Sequence, residues 1–202
     1  MRRNLRHFLT AVFVMTTILF FAVPGKAQDS HSFYTYIGPY LGVGYNLISY
    51  QEWDRISNTQ ATINANGPHG VAGVTLQLYM NEIIGDFKVG YMYNMNDGDH
   101  SAYHLQCAIS LKYMWQLENG MHLGTGLGIY TETPPSTGGY DGGAGFILPV
   151  CVVFNISETT KAFTELEFRL GSYGNSSDMA AGESRKIAVG LQAGFLFRIG
   201  KV

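Results

Sequence analysis

A serine, two histidines and two acids are the residues of this sequence that could carry out hydrolytic chemistry. Asp99, His100 and Ser101 are consecutive, and a simple register guess places His104 across from Glu132. An activated serine needs a base within hydrogen-bonding reach, and an acid must orient that base. Consecutive loop residues rarely meet this geometry, and neither group forms a His-x-Ser motif within a strand. We therefore expect no catalytic residues and no enzymatic activity.

Charged residues within apolar segments form a second candidate site. Each lies on the polar side of an alternating segment, and the set comprises Asp86, Lys88, Lys112, Glu165, Glu167, Arg169, Lys186 and Arg198. Charges in a poorly hydrated interior must pair with one another or keep water. The pattern therefore predicts an interior network of ion pairs. The alternative is a narrow pore. Because the set has five basic and three acidic residues, the lumen of such a pore would be slightly basic and would mildly prefer anions.

Acidic and aromatic residues in the longer connecting segments form a third set. The candidates for a surface contact are Trp53, Asp97, Asp99, Tyr140 and Asp141. The other acids of these segments are Glu52, Asp54, Glu132, Asp178 and Glu183. An acidic mouth of this kind could hold divalent cations or a basic partner, but solvated loops give the same pattern. The sequence has no metal-ligand spacing and no Gly-rich phosphate loop, so we expect no metal and no cofactor.

The sequence that must position these residues has a period of two almost throughout. Apolar residues alternate with polar or small residues in eight segments: 36–47, 72–80, 86–94, 103–115, 122–129, 145–155, 162–171 and 186–199. Successive side chains of a strand point to opposite faces, so each segment is read as a strand. The connections alternate between long ones (49–70, 95–101, 131–143 and 172–184) and short ones (81–85, 116–120 and 155–160). This arrangement is typical of an all-β fold, an eight-stranded antiparallel up-and-down transmembrane β-barrel.

The composition of the polar face indicates which side of the barrel meets lipid. A soluble, lipocalin-like barrel has its apolar face inward and would carry dense Lys, Glu and Thr on the polar face. Here the polar face is instead rich in glycine, at positions 42, 44, 90, 124, 126, 128, 190 and 194. The apolar face carries aromatic residues near strand ends, as interfacial girdles do; they include Tyr45, Tyr113, Trp115 and Phe197. We therefore expect lipid outside and a polar lumen.

The N-terminal segment has the pattern of a cleaved export signal. Arg2, Arg3 and Arg6 precede an apolar run at 8–23, and Gly25-Lys26-Ala27 offers small residues at a cleavage site. We expect residues 1–27 to be the signal peptide and residues 28–202 to be the barrel domain. Without the leader, nine basic residues remain against 15 acidic ones, a net charge of about −6. This acidic balance argues against a nucleic-acid partner.

Two prolines and two cysteines lie within the predicted strands. Pro39 and Pro149 each remove a donor from the hydrogen-bond ladder, which predicts either a plain bulge or a gap in the wall. Cys107 is expected to face lipid in the fourth segment, and Cys151 the lumen in the sixth. Strands two apart are separated by about 10 Å, beyond the reach of a disulfide. Both thiols are therefore predicted to be free.

Over nearly the whole mature chain, the sequence resembles the small eight-stranded outer-membrane barrels related to outer-membrane proteins A, X and W. The resemblance rests on the alternation and on the runs GLGIY at 126–130, GAGF at 143–146 and TELEFRLGSY at 164–173. It implies a lumen plugged by ion pairs, in the outer membrane of a Gram-negative-type bacterium, with extracellular loops and periplasmic termini. It also implies outer-membrane lipids, lipopolysaccharide and the barrel-assembly machinery as partners. The chain departs from the group at 198–202, where RIGKV replaces the usual terminal aromatic residue.

The function that we expect from the sequence is that of a monomeric, non-catalytic barrel. Its role would be structural or adhesin-like, with the long loops contacting a host or cell-surface ligand. The alternative is a narrow pore or lateral conduit for small apolar or anionic solutes. A third hypothesis is a lipid A-modifying enzyme, because enzymes similar to this group place His, Ser and an acid at the outer rim. On that hypothesis, His100→Ala or Ser101→Ala would change lipid A acylation.

Overall fold

The computed structural model describes residues 33–54, 59–64, 66–95, 102–117, 120–133, 141–174 and 185–201. These residues form nine strands: β1 (Phe33–Asp54), β2 (Thr59–Asn64), β3 (Gly67–Met80), β4 (Ile83–Asn94), β5 (Ala102–Gln116), β6 (Met121–Thr133), β7 (Asp141–Asn155), β8 (Thr160–Gly174) and β9 (Arg185–Lys201). No helix in this part of the chain is long and apolar enough to cross a membrane. The predicted signal peptide lies outside the described residues.

Eight of the nine strands close into a barrel. Neighbouring strands are antiparallel in the order β1-β3-β4-β5-β6-β7-β8-β9, and β9 pairs back onto β1. The closing ladder runs from Lys201 opposite Tyr34 to Arg185 opposite Ser49. Closure gives every strand of the wall a partner on both sides, which hydrocarbon requires of backbone N–H and C=O groups. The predicted fold class, an eight-stranded antiparallel up-and-down barrel, is confirmed.

The ninth strand, β2, replaces much of the irregular loop predicted at 49–70. It pairs with the end of β1 in the same register in which β3 pairs with the first part of β1, with Asn64 opposite Ser49 and Gly67 opposite Asn46. β2 therefore continues the line of β3, and together they form one long hairpin with β1. The prediction of a loop was wrong because strand pairing outside hydrocarbon does not require alternating apolar residues. In the TQATIN segment only Ala61 and Ile63 are apolar, so the alternation that located the other strands is too short there to identify a strand.

The short connections include backbone in the left-handed region. Asn81, in the turn between β3 and β4, has a φ of 56°, and Gly120, just before β6, has a φ of 72°. Asn and Gly adopt such angles with less strain than other residues do. These turns lie at one end of the barrel, which we call the short-turn end. The opposite end, which the connections β1–β2–β3, β4–β5, β6–β7 and β8–β9 share, is the long-loop end.

The wall of the barrel is apolar outside and polar inside. The outward residues Leu41, Tyr91 and Phe146 are 61–68% exposed, whereas the inward residues Lys112 and Glu165 are at most 2% exposed. A soluble protein buries its large apolar residues and exposes its charges. The observed distribution is the reverse, so a lipocalin-like arrangement is excluded. The protein is a transmembrane barrel of the outer-membrane type.

Glycines on the inward face allow adjacent strands to approach closely. A Cβ atom at Gly126 would lie 2.0 Å from the carbonyl oxygen of Leu111 on β5, and one at Gly38 would lie 1.6 Å from that of Phe195 on β9. Any other residue would clash with backbone at these two positions. The inward glycines therefore allow close contact between neighbouring strands of the wall, and they also leave room for long side chains.

Candidate functional site

The candidate site is a network of eight charged side chains inside the barrel. Its members are the cations Lys88, Lys112, Arg169 and Lys186 and the anions Asp86, Glu132, Glu165 and Glu167. They project inward from β4, β5, β6, β8 and β9, and each is at most 4% exposed. Seven of the eight residues that the sequence suggested for a lumen network belong to this set. We call it the charge network.

The part of the network nearer the short-turn end is centred on two lysines. Lys112 Nζ lies 2.5 Å from Asp86 Oδ2 and also contacts the carboxylate of Glu165. Lys88 contacts the same Glu165 and lies 2.7 Å from Glu167 Oε1. The amide oxygen of Gln192 accepts a further hydrogen bond of 2.9 Å from Lys88. Glu165 therefore bridges the two lysines.

The part nearer the long-loop end is centred on Glu132. Lys186 Nζ donates to both oxygens of this carboxylate, at 2.8 and 2.7 Å. Arg169 Nη1 lies 3.4 Å from Glu132 Oε1 and 2.6 Å from the amide oxygen of Gln106, while its other nitrogens bind Glu167. Glu167 thus contacts both Arg169 and Lys88, so the two parts of the network are continuous.

Glu132 corrects two sequence interpretations. It was grouped with the acids of the long connections, yet it lies in β6 and is fully buried. The residue opposite it on β5 is Gln106, not His104. The fourth carboxylate makes the network itself neutral, with four cations and four anions, whereas the inward Arg198 and Lys161 add two cations to the lumen outside the network. The parity of β6 could have revealed Glu132, because it continues the inward series of Gly128 and Tyr130.

Two inward tyrosines pack beside the network, in spaces left by glycines. A Cβ atom at Gly90 would lie 2.5 Å from the hydroxyl of Tyr40, and one at Gly171 would lie 2.3 Å from that of Tyr130. The Tyr40 ring lies 5.5 Å from Lys88 Nζ, and the Tyr130 ring lies 5.5 Å from Arg169 Cζ. The ring faces therefore stabilise two of the cations that the carboxylates already neutralise.

An apolar layer lies between the charge network and the short-turn end. Its inward side chains are all buried and come from five strands: Ile84, Met114, Val153, Phe163 and Leu196. β7 contributes Val153 and Cys151 to the apolar packing at this level, and none of its described inward side chains is charged. The lumen is thus filled by apolar packing nearer the short-turn end and by ion pairs nearer the long-loop end.

Arg198, the eighth residue of the predicted network, lies apart from it at the short-turn end. Its guanidinium carbon is 5.6 Å from the centre of the Tyr34 ring. Among the described residues, none of the ion pairs includes Arg198. The sequence interpretation failed here because the parity of a strand gives the face of a side chain but not its height in the barrel.

Polar residues without charge line the lumen near the long-loop end. Asn46 Nδ2 donates a hydrogen bond of 2.6 Å to Asn94 Oδ1, which joins β1 to β4 across the interior. His69 and His104 are buried, and the Nδ1 atom of each has no hydrogen-bond partner among the described residues. His104 thus belongs to the lumen and not to a rim site beside a serine.

Both predicted wall interruptions coincide with gaps in strand pairing. Pairing between β1 and β9 skips Gly38 and Pro39, and pairing between β6 and β7 skips Leu148 and Pro149. On its other side each proline has a partner in the adjacent strand. The hydroxyl of Thr125 donates a hydrogen bond of 3.0 Å to the carbonyl oxygen of Pro149, across the second gap.

The two cysteines are free, as the sequence predicted. Cys107 is half-buried on the outward side of β5, and Cys151 is buried in the lumen. Its Sγ atom lies 3.8 Å from Met114 Sδ.

The remaining predicted residues belong to the connections at the long-loop end. Trp53 lies in the part of β1 that pairs with β2, and Asp141 begins β7. Asp97, Asp99, His100, Ser101 and Tyr140 lie outside the described residues. Within the described residues, no group of three or more His, Cys, Asp or Glu could hold a metal ion.

Comparison with known proteins gives similarities of fold at low sequence identity. No protein-family model and no curated protein sequence matches the chain. Among solved structures, the chain is similar to the outer-membrane protein OprG of Pseudomonas aeruginosa, with 9% identity over 85% of this chain and 97% of that one and a TM-score of 0.43. It is also similar to the N-terminal β-barrel domain of OprF from the same organism, with 12% identity over 77% of this chain and 97% of that one and a TM-score of 0.42.

Neisserial surface protein A is similar at 12% identity, over 76% of this chain and 95% of that one, with a TM-score of 0.40. At these values the similarities do not bear on what the protein binds or does. The assignment of the fold rests on the strand order and register of the chain itself.

Proposed function

We propose that this protein is a closed, non-conducting outer-membrane barrel that stabilises the membrane and presents its long connections for surface contact. The observation that carries the proposal is the charge network, whose eight members are paired, neutral in sum and at most 4% exposed. An eight-stranded barrel has an interior just wide enough for its own side chains. Ion pairs at this depth are costly to separate, so the lumen is filled and not a route for solutes.

The proposed orientation follows from the two ends of the barrel. The long-loop end faces the exterior, the short-turn end and both termini face the periplasm, and residues 1–27 are removed on export. Partners in the membrane are its lipids and lipopolysaccharide, with the barrel-assembly machinery acting during insertion. The barrel works as a monomer. Protease protection of the short-turn end in intact cells, with cleavage in the long connections, tests this orientation.

The surface-contact role belongs to Trp53, Asp97, Asp99, Tyr140 and Asp141. It is supported by the β1–β2 hairpin, which carries Trp53 on a paired strand beyond the last pairing of β1 with β9 at Ser49. Adhesion of cells that express the wild type or the Trp53→Ala variant to a host or bacterial surface tests the role. Equal adhesion, at equal amounts of folded protein, would contradict it.

Conductance in planar lipid bilayers tests whether the lumen is closed. The wild type is expected to give no unit conductance. The Glu165→Gln variant removes the charge that bridges Lys88 and Lys112, and Glu158→Gln, in an exposed turn, is the matched control. A steady wild-type conductance, with an ion selectivity that changes in Glu165→Gln but not in Glu158→Gln, would refute the proposal and favour a pore.

A lateral conduit is the second candidate function, and the pairing gap at Pro149 favours it. At Pro39 the two strands remain close, because a Cβ atom at Gly38 would lie 1.6 Å from the carbonyl oxygen of Phe195. If the gap at Pro149 admits apolar solutes, Pro149→Val should close it and slow their uptake into vesicles. Unchanged uptake would leave the gaps as plain bulges. A lipid A-modifying activity at His100 and Ser101 is tested by the acylation pattern of lipid A in cells with either residue replaced by alanine.

A further inference from the structure

Two cations at the short-turn end of the lumen lie outside the charge network. Lys161 on β8 is opposite Leu196 on β9, and Arg198 is two residues farther along β9. On one face of an antiparallel pair, such diagonal neighbours are about 7–8 Å apart. Both side chains are inward and half-buried. They are therefore adjacent on the same stretch of the inner wall.

Tyrosine rings hold both cations. Lys161 Nζ lies 4.7 Å from the centre of the Tyr79 ring and 5.2 Å from that of Tyr36. Arg198 lies over Tyr34 and is directly opposite Tyr36 across the closing ladder of β1 and β9. The rings of Tyr36 and Tyr79 are themselves in edge contact, with centroids 4.9 Å apart. The cations and rings thus form one continuous arc over β8, β9, β1 and β3, which we call the basic arc.

No carboxylate of the described residues contacts the basic arc. Among the described residues, neither Lys161 nor Arg198 forms an ion pair, and the one side-chain hydrogen bond of Lys161, at 2.7 Å, goes to the neutral Asn155. Glu82 accepts a hydrogen bond from Tyr113 on the outer face, and Glu158 is in an exposed turn. All four cations of the charge network, in contrast, contact at least one carboxylate.

A third polar group with an unused nitrogen lies at the same end. His122 is on the inward face of β6, opposite Val153 of the apolar layer. Its Nδ1 atom is buried and has no hydrogen-bond partner among the described residues. Within the described part of the chain, a group that accepts hydrogen bonds from Lys161 and Arg198 would therefore enter a mouth in which no carboxylate pairs with these two cations.

We propose that the basic arc is a binding site for a phosphate group. Two cations on diagonal positions present donors from different directions, which suits a tetrahedral oxyanion, and charge-assisted hydrogen bonds to phosphate are among the strong ones. The rings fix the positions of the cations in advance, so less conformational entropy is lost on binding. The apolar layer closes the site toward the charge network, so the phosphate enters from the short-turn end. Its source is either a free phosphate or the headgroup of a phospholipid in the adjacent leaflet.

Calorimetric titration of the folded protein in detergent with inorganic phosphate tests the site. The wild type is expected to bind saturably, and Lys161→Gln and Arg198→Gln are each expected to bind at least tenfold more weakly. Lys161→Arg keeps the charge and should retain binding. The matched control is Arg185→Gln, an exposed residue at the other end of β9, which should bind as the wild type does. Retained heat-dependent gel mobility shows that each variant is folded.

Native mass spectrometry separates the two sources. If a headgroup is the ligand, phosphatidylglycerol stays bound to the wild type after detergent extraction and is lost in Lys161→Gln and Arg198→Gln. If free phosphate is the ligand, the calorimetric signal is seen and no lipid is retained. The proposal is overturned if the wild type binds neither inorganic phosphate nor phosphatidylglycerol. It is also overturned if Arg185→Gln, Lys161→Gln and Arg198→Gln all bind equally well.

Discussion

The lumen stabilises its positive charges in two ways. In the charge network each cation faces a carboxylate at full burial, whereas in the basic arc each cation faces a tyrosine ring and is only half-buried. Full burial removes the hydration shell, and only an opposite charge offsets a loss of that size. Partial burial leaves some hydration, and the weaker attraction of a ring face is then sufficient. The depth of a charge in the barrel thus determines the kind of partner that it needs.

The largest expected effect is the loss of a cation from the network. Lys112→Met leaves the carboxylates of Asp86 and Glu165 buried without their shared lysine. We expect the free energy of unfolding to fall by about 3–5 kcal/mol, measured by urea titration in lipid vesicles. Glu158→Gln, in an exposed turn, should change it by less than about 0.5 kcal/mol. Equal small effects in both variants would mean that the network is hydrated.

A double-mutant cycle measures the pairing itself. Glu132→Gln and Lys186→Met should each destabilise the barrel, because each leaves a partner charge buried. The double variant should lose less than the sum of the two, with a coupling of about 0.5–3 kcal/mol. Additive losses would show that the two side chains contribute by packing alone, and the contrast between the network and the arc would then disappear.

Filling the glycine spaces separates ring packing from charge. Gly171→Ala places a Cβ atom 2.3 Å from the Tyr130 hydroxyl and 2.6 Å from the carbonyl oxygen of Ala144. A loss of about 1–3 kcal/mol in unfolding free energy is expected from overpacking, with partial recovery in combination with Tyr130→Phe. Gly70→Ala is the control, because its Cβ atom would meet nothing within 4 Å. Equal losses at Gly70 and Gly171 would contradict the packing argument.

The smallest expected effect is at the basic arc. Lys161→Met removes a cation that has rings and an amide as partners, so the loss in unfolding free energy should be about 0.5–1 kcal/mol. Lys161→Arg should remain within about 0.5 kcal/mol of the wild type. A loss as large as that of Lys112→Met would show that the arc is as dehydrated as the network.

The sequence predicts the wall of this protein better than its ends. Alternation assigns a face to each residue, because a strand has a period of two whatever its partners are. It therefore places Lys88 and Lys112 in the lumen, and the structure finds them there. It fails where the strands leave the hydrocarbon: Glu132 was assigned to a loop and β2 was missed, since beyond the membrane the outward residues need not be apolar.

The height of a residue in the lumen is the second quantity that alternation does not provide. Arg198 and Lys186 have the same parity on β9, yet one lies over a tyrosine ring and the other binds Glu132. Strand tilt and register decide which inward residues of different strands meet, and both depend on the closed barrel. The composition of the network, and hence its neutrality, follows only from that geometry.

The continuous register of β2 and β3 along β1 has a mechanical consequence. The hairpin extends about 15 Å along β1 beyond Ser49, at roughly 3.3 Å per residue. One of its two strands, β1, is also the strand that closes the barrel against β9. A pull on the hairpin tip therefore loads the ladders of β1 in shear, with many hydrogen bonds sharing the force at once. A loop of irregular backbone would stretch first, whereas this hairpin transmits tension directly into the membrane-embedded wall. On the surface-contact role that we propose, the load on that contact would therefore pass into the wall of the barrel.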